Sequence, residues 1–259
     1  MNASPGAPSP HSPWNPLPYL FAKHFSEARI LSSESLGPRW RAIRLHCPDM
    51  PRLRYVAGQH VRIELRAPFS VYGLLRPIET MRTYTIWDWD EDNHSFELRV
   101  FLHECDGIGL NWAHRVRSGD RLRFWGPQGD FRVNRAARSH IFVGDETAMA
   151  AFGPMMRDLP HDNLAMALIE VECADDRLSL PTTAATRWLY REGQSPVASR
   201  ALLNALTDTD LPDGATMAYV AGEAKTCQLI RDHLLARRGW DRSQILVKPF
   251  WAPGKRGLH

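Results

Sequence analysis

The period of the hydrophobic pattern changes once along this chain, and that change constrains the fold more than any other feature. Before about residue 135 the apolar residues alternate. "GQHVRIEL" sets His60, Arg62 and Glu64 on one face and Val61, Ile63 and Leu65 on the other. "TYTIWDW" and "SFELRVFLH" read as two more strands with "DEDNH" turning between them. "GDRLRFWGP" alternates again after a Gly-Asp turn, and "EARILSSESLGPRWRAIRLHC" reads as a hairpin or two strands. Many short strands punctuated by Gly and Pro predict an antiparallel barrel, with one short helix around "GIGLNWAHRVRSG".

Beyond that point the strands become continuous apolar runs, as buried parallel strands are. "SHIFVG", "LAMALIEV", "MAYVAG" and "ILVKPFW" are separated by the helical stretches "DETAMAAFGPMMRDLP", "SRALLNAL" and "EAKTCQLIRDHLLARRG". In the first helix Met149, Phe152, Met156 and Leu159 share a face, while Gly153 and Pro154 weaken its middle. Strands alternating with helices predict an α/β domain with a parallel sheet. The expected order is therefore an antiparallel barrel over residues 19–135 and an α/β domain over 136–259. The polar stretch "VNRAARS" joins them, and the Pro-, Ser- and Ala-rich residues 1–18 read as a disordered arm.

With 259 residues the chain is long enough for two ordinary domains. No apolar run approaches the ~20 residues of a membrane span. The N-terminus lacks a basic stretch followed by an apolar one, so the expectation is a cytoplasmic protein with no membrane partner. A net charge of +3 is too small to argue for nucleic acid. Only four basic residues are lysines, Lys23, Lys225, Lys248 and Lys255. Cys47, Cys105, Cys173 and Cys227 lie far apart, which argues against a zinc or iron–sulfur site and for free buried thiols.

Three stretches carry the chemistry. In "RTYT", Arg82 and Tyr84 point one way and Thr83 and Thr85 the other. Arg82 can fork two hydrogen bonds to a diphosphate, Tyr84 can lay its ring on a flat ligand, and Thr85 can bond its edge. The plain alternative is an ordinary strand. "FLHECDGIGLNWA" passes through Gly107 and Gly109 into a helix start, a place where free N–H groups favour an anion. "VGDETA" and "VAGEAK" each end a buried strand in glycine and open a helix on an acidic residue. Such strand ends bind ligands in open α/β sheets. They also make good N-caps whatever else they do.

Taken in order, these stretches with "SGDRLRFWGP" and "FWAPGK" resemble the siderophore-interacting proteins, flavin-dependent ferric-siderophore reductases related to ferredoxin reductase. The resemblance spans roughly residues 20 to 254. It implies a six-stranded FAD-binding barrel followed by a domain for NADPH or NADH. By family pattern, Arg82, Tyr84 and Thr85 hold the flavin. His103, Gly107, Trp112 and Ala113 match the second FAD motif. Asp145, Glu146 and Thr147 match the segment near nicotinamide and flavin, Gly222 and Glu223 the motif of the nicotinamide domain, and Trp251 the C-terminal aromatic. Lys248, Lys255 and Arg256 are candidates for a basic pocket for an anionic ferric siderophore; otherwise they are a solvated strand end and tail. The chain departs from the family pattern at Ile108, where proline is usual, and at Trp87 and Asp88, where a basic residue is common.

The implied reaction passes a hydride from the coenzyme to FAD and then single electrons to Fe(III), with no catalytic acid or base and no resident metal. A monomer is implied. Reductases for other acceptors, and a siderophore carrier without reductase activity, share most of these motifs. Coenzyme choice stays open: Glu170, Glu172, Asp175 and Asp176 crowd one strand end, yet Arg177, Arg187 and Arg191 follow.

Overall fold

The computed structural model describes residues 25–65, 80–103, 107–181, 184–211 and 216–255. The expected N-terminal arm, Cys105 and the candidate Arg256 lie outside these.

Strands β1 (Phe25–Ser35), β2 (Trp40–His46), β3 (His60–Glu64), β4 (Met81–Asp90), β5 (Ser95–Phe101) and β6 (Arg121–Gln128) close into a barrel. Their order is β1-β2-β5-β4-β3-β6, and every neighbouring pair is antiparallel. The alternation read in the sequence sets which side chains fill it. Val61 and Ile63 are fully buried with Ile43, Ile86, Leu98 and Phe124, while His60, Arg62 and Glu64 point outward. Helix α1 (Ile108–Arg115) joins β5 to β6 and buries Gly109 and Ala113.

The second half is a five-stranded parallel sheet of order β11-β10-β7-β8-β9. Its strands are β7 (Ser139–Asp145), β8 (Leu164–Val171), β9 (Ala184–Tyr190), β10 (Thr216–Glu223) and β11 (Ile245–Trp251). Helices α2 (Met149–Arg157), α3 (Arg200–Thr207) and α4 (Ala224–Arg238) cover it. Every residue of β7 and β10 is buried, because both faces of these central strands are covered. The chain runs outward from β7 to β8 and β9, then crosses to β10 and β11. The topological switch point is therefore the crevice between β7 and β10. Strand β9 was not anticipated; its mixed "AATRWLY" has neither clean alternation nor an apolar run, since it is an edge strand with one neighbour.

One expectation concerns α2. Gly153 and Pro154, expected to weaken its middle, lie inside a continuous helix, and Met149, Phe152, Met156 and, just past its end, Leu159 are all buried. Gly153 has a packing reason: a Cβ there would stand 2.2 Å from the Trp87 ring of β4. Trp87 is sandwiched in turn between the guanidinium carbons of Arg99, at 3.8 Å from its ring centroid, and Arg157, at 4.6 Å. Arg157 also donates to the Trp87 carbonyl. Barrel residues Trp40, Trp87 and Phe101 thus share one apolar cluster with Phe142, Phe152 and Tyr219 of the α/β half. A second tie is polar. Arg39 forks onto the fully buried Asp176, and Trp40 Nε1 donates to the Asp176 carbonyl at 2.7 Å. Another expectation is corrected: Cys47 and Cys227 are buried, but Cys173 is exposed in the turn that carries Asp176. Among the described residues no helix is long and apolar enough to cross a membrane.

Gly153→Ala forces the Trp87 ring out of its seat. It is expected to destabilise the protein by about 1–3 kcal/mol, the usual cost of overpacking, read as a lower midpoint in urea.

Candidate functional site

The first part of the site is where α1 meets β4. Tyr84 and Trp112 lie with ring centroids 5.3 Å apart. A Cβ on Gly109 would stand 2.7 Å from the Tyr84 hydroxyl and 3.0 Å from Arg82 Cγ, so only glycine lets the helix come this close. Gly107 is the N-cap of α1 and supplies no side-chain cap. The first turn of α1 holds no acidic residue, and among the described residues nothing lies within 4 Å of where a Cβ on Gly107 would stand. Among the described residues the leading N–H groups of α1 thus have no side-chain cap and lie next to Arg82, an arrangement that suits the diphosphate of a dinucleotide. Ala113 is fully buried behind them. Burial pushes the Tyr84 hydroxyl above its usual range, so it stays a neutral donor. Thr85 points the other way and pairs with His60 across β3. His103, just past β5, is exposed and within electrostatic reach of Glu146.

The second part is the carboxyl edge of the sheet. Asp145, the last residue of β7, is buried and accepts four hydrogen bonds. Thr147 N and Oγ1 donate to Oδ1 at 2.9 and 2.5 Å, and Glu223 N and Trp251 Nε1 donate to Oδ2, each at 2.8 Å. Gly222, at φ +118°, makes room: a Cβ there would be 2.5 Å from the Asp145 carboxylate. Burial, then the neighbouring Glu146, push the Asp145 carboxyl up to about 6 against the pull of these hydrogen bonds. Glu223 caps α4, accepting from Lys225 N, Thr226 N, Thr226 Oγ1 and Ala198 N. The N-terminus of α4 is therefore closed by its own carboxylate, unlike that of α1.

Glu146 is buried against Arg191, which forks onto it at 2.7 and 2.5 Å. Arg191 also lies 3.7 Å from Glu170 and 3.4 Å from Glu172. Sequence reading offered these carboxylates and arginines as rivals for the coenzyme ribose; the structure joins them to each other. Glu170 takes Ser199 Oγ at 2.5 Å, Glu172 takes Gly193 N, and Asp176 is held by Arg39. Arg177 lies over the rings of Trp188 and Tyr190, and exposed Arg187 sits mid-strand in β9.

The third part spans the two halves. Lys248 of β11 comes close enough to His60 of β3 to act on its charge, together with Arg62. Burial first, then these two cations, pull His60 down to about 4, so it is neutral at pH 7. Arg62 Nε is buried with no hydrogen-bond partner among the described residues. Lys255 is exposed in the turn after β11 and apart from any described ion pair. Sequence reasoning missed His60 and Arg62. Their outward alternation on β3 was legible, but the pairing of β3 with the "RTYT" strand, which gives it meaning, was not. Trp87 and Asp88, noted as departures, take structural roles: Trp87 seats α2 and Asp88 pairs with Arg44 at 3.3 Å.

A closed antiparallel barrel with an open helix N-terminus on its flank, followed by a parallel sheet with its switch point beside it, is the architecture of the ferredoxin-reductase-like flavoproteins. Within that class the chain belongs to the siderophore-interacting protein family. The family's FAD-binding domain matches residues 29–131 and its siderophore-interacting protein domain residues 137–254. A siderophore utilization protein from T. fusca superposes with a TM-score of 0.79 at 27% identity, covering 91% of this chain and 95% of that one. A ferredoxin NADP+ reductase from Neisseria gonorrhoeae, at 16% identity, shares the fold with a TM-score of 0.67 over 87% of this chain and 98% of its own. An uncharacterized protein of Mycobacterium tuberculosis is 28% identical over 68% of this chain. Ferric vibriobactin reductase ViuB of Vibrio cholerae is 26% identical over 67%. The matched part spans 66% and 65% of the length of those two relatives.

The α1 cradle suits the FAD that this family's barrel binds. Gly109→Val, which fills the space under Tyr84, is expected to leave the barrel folded and weaken FAD binding at least tenfold, measured by flavin fluorescence titration. A second expectation concerns pH. Asp145 holds its proton more tightly folded than unfolded, where a carboxyl titrates near ~3.9. Its favourable contribution is present below about pH 4 and lost as pH rises through about 6. The stability of Asp145→Asn relative to the natural chain is therefore expected to improve by roughly 2–3 kcal/mol between pH 4 and 7, measured by chemical denaturation at both pH values.

Proposed function

We propose that this protein is an NAD(P)H-dependent reductase of ferric siderophores, with residues 19–135 as the FAD domain and 136–259 as the nicotinamide domain, acting as a cytoplasmic monomer. The observation that carries the reading is the α1 start beside Arg82 and Tyr84, where Gly109 lets the helix approach the strand. The switch point between β7 and β10, and the cations Lys248 and Arg62 that both act on His60, support it.

When bound, FAD would accept a hydride from the nicotinamide and release electrons singly to Fe(III). The chain's own part is placement and electrostatics. Arg82 and the α1 N–H groups neutralise a diphosphate. Tyr84 and Trp112 present aromatic faces beside it, and Thr85 offers a hydroxyl at its edge. Gly222 makes room for the Asp145 carboxylate, which stands at the switch point with Trp251 bonded to it. Lys248 and Arg62, with neutral His60 between the two halves, draw an anionic iron chelate to the junction. Reduction weakens the chelate, because Fe(II) suits hard oxygen ligands less well than Fe(III).

The purified protein is expected to show a flavin absorption spectrum that NADH or NADPH bleaches anaerobically. Adding a ferric siderophore then yields Fe(II) trapped by a coloured chelator. Lys248→Gln and Lys255→Gln are expected to raise the siderophore KM roughly fivefold each, what ~1 kcal/mol of a partly exposed charge contact corresponds to. The bleaching rate stays unchanged. A colourless protein, a flavin that no coenzyme bleaches, or equal losses in both half-reactions would overturn this reading.

A further inference from the structure

Three strand ends converge on one carboxylate. Strand β7 carries Asp145, β10 gives it the Glu223 N–H at 2.8 Å, and β11 gives it the Trp251 indole N–H, also at 2.8 Å. The last of these needs an irregularity in the sheet. Strands β10 and β11 pair in step from Ala218 and Ile245 to Gly222 and Pro249, and then the register slips, so that Glu223 lies opposite Trp251 instead of Phe250. A slip of one residue exchanges the faces of a strand. It puts the indole, in place of the phenyl ring, beside the end of β7. Gly222 completes the arrangement, since any side chain there would occupy the position of the Asp145 carboxylate.

A carboxylate is an expensive group to bury, and the strand pairing of β11 does not require it: a phenylalanine at 251 could pair with Glu223 through the same backbone. What the hydrogen bond adds is the orientation of the indole plane. We propose that Asp145 is a positioning residue that fixes the Trp251 indole at the mouth of the β7–β10 crevice, so that the nicotinamide ring enters against an aromatic wall of set orientation. This rests on the reading of the crevice as the nicotinamide site. It assigns Asp145 a role through Trp251 and none with the coenzyme itself. Trp251 is half-buried, at the carboxyl edge of the sheet where such a wall would stand.

The test uses the full-length flavin-loaded protein labelled with 15N-tryptophan, which carries nine indoles. Trp251→Phe removes one indole N–H signal and so identifies it. In Asp145→Asn that signal is expected to move upfield, because the amide keeps one neutral acceptor oxygen in place of two charged ones and its NH2 cannot accept, so the indole bond is weakened or lost. In both variants the KM for the nicotinamide coenzyme is expected to rise at least about threefold while FAD affinity stays within about twofold, and the double variant is expected to be no worse than either single one. Should Asp145→Asn fail to fold, Trp251→Phe alone decides: a coenzyme KM within about twofold of the natural chain overturns the proposal. So does an unmoved indole signal in Asp145→Asn, or KM effects that simply add. A flavin that no nicotinamide coenzyme reduces in the natural chain would instead sink the reading of the crevice, and the indole signal would still report whether Asp145 holds Trp251.

Discussion

Trp87 leaves the barrel and enters helix α2 at the one point where glycine leaves room for it. The rest of the structure depends on that contact, because it ties the barrel to the sheet half within the one apolar cluster that both share, each half having a further core of its own. Neither half alone brings Lys248 to His60, or the carboxyl edge of the sheet to the barrel. The ring is held on three sides, by Arg99, by Arg157 and by the α2 backbone. Such planar stacking of guanidinium on indole suits a partly wet seam, since it keeps some charge solvated while covering apolar area. Arg39 and Asp176 do the same at the other end of the seam, with the carboxylate fully buried and the arginine half-open. Two fixed points some distance apart define an angle between barrel and sheet, which one point would not.

The two halves handle helix N-termini in opposite ways. In the sheet, Glu223 closes the start of α4, and Asp145 closes the 3-10 turn that leads into α2. Each carboxylate takes the N–H groups that an anionic ligand would otherwise use. In the barrel, α1 starts at a glycine that has no side chain to cap with and, among the described residues, no capping side chain from elsewhere. Among the described residues, the start of α1 is therefore left without a side-chain cap, while Asp145 and Glu223 close the two helical starts at the switch point of the sheet. That division is set by single residues, a glycine at 107 against an aspartate at 145 and a glutamate at 223.

Much of this was legible in the sequence, and the failures have physical causes. The change from period two to buried apolar runs located both architectures, because binary pattern follows directly from which face is covered. Strand β9 escaped because an edge strand has one neighbour and a half-wet face, which erases either pattern. By propensity Gly153 and Pro154 only weaken the middle of α2; the Trp87 ring that explains the glycine comes from 66 residues earlier. The glycines and aromatics of the α1 cradle were legible as local motifs. His60 and Arg62 were not, since a cation on an outward strand face means nothing until its neighbours are known. The pairing of Arg191 was hidden for the same reason: it is engaged by Glu146, Glu170 and Glu172, and no sequence rule shows that.

The spent arginine bears on the charge seen by any ligand at the sheet. Arg191 faces three carboxylates, and Asp145 adds a fourth acidic group whose ionisation burial and Glu146 both oppose. The carboxyl ends of β7 and β8 thus keep an excess of negative charge in a poorly solvated place, where it is weakly screened. Positive charge stands elsewhere, on Lys248 of β11 and Arg62 of β3, both near enough to His60 to lower its affinity for a proton. His60 sharpens the contrast by staying neutral: burial first, then Lys248 and Arg62, oppose a charged imidazole there, so the two halves together offer two cations at that place and not three.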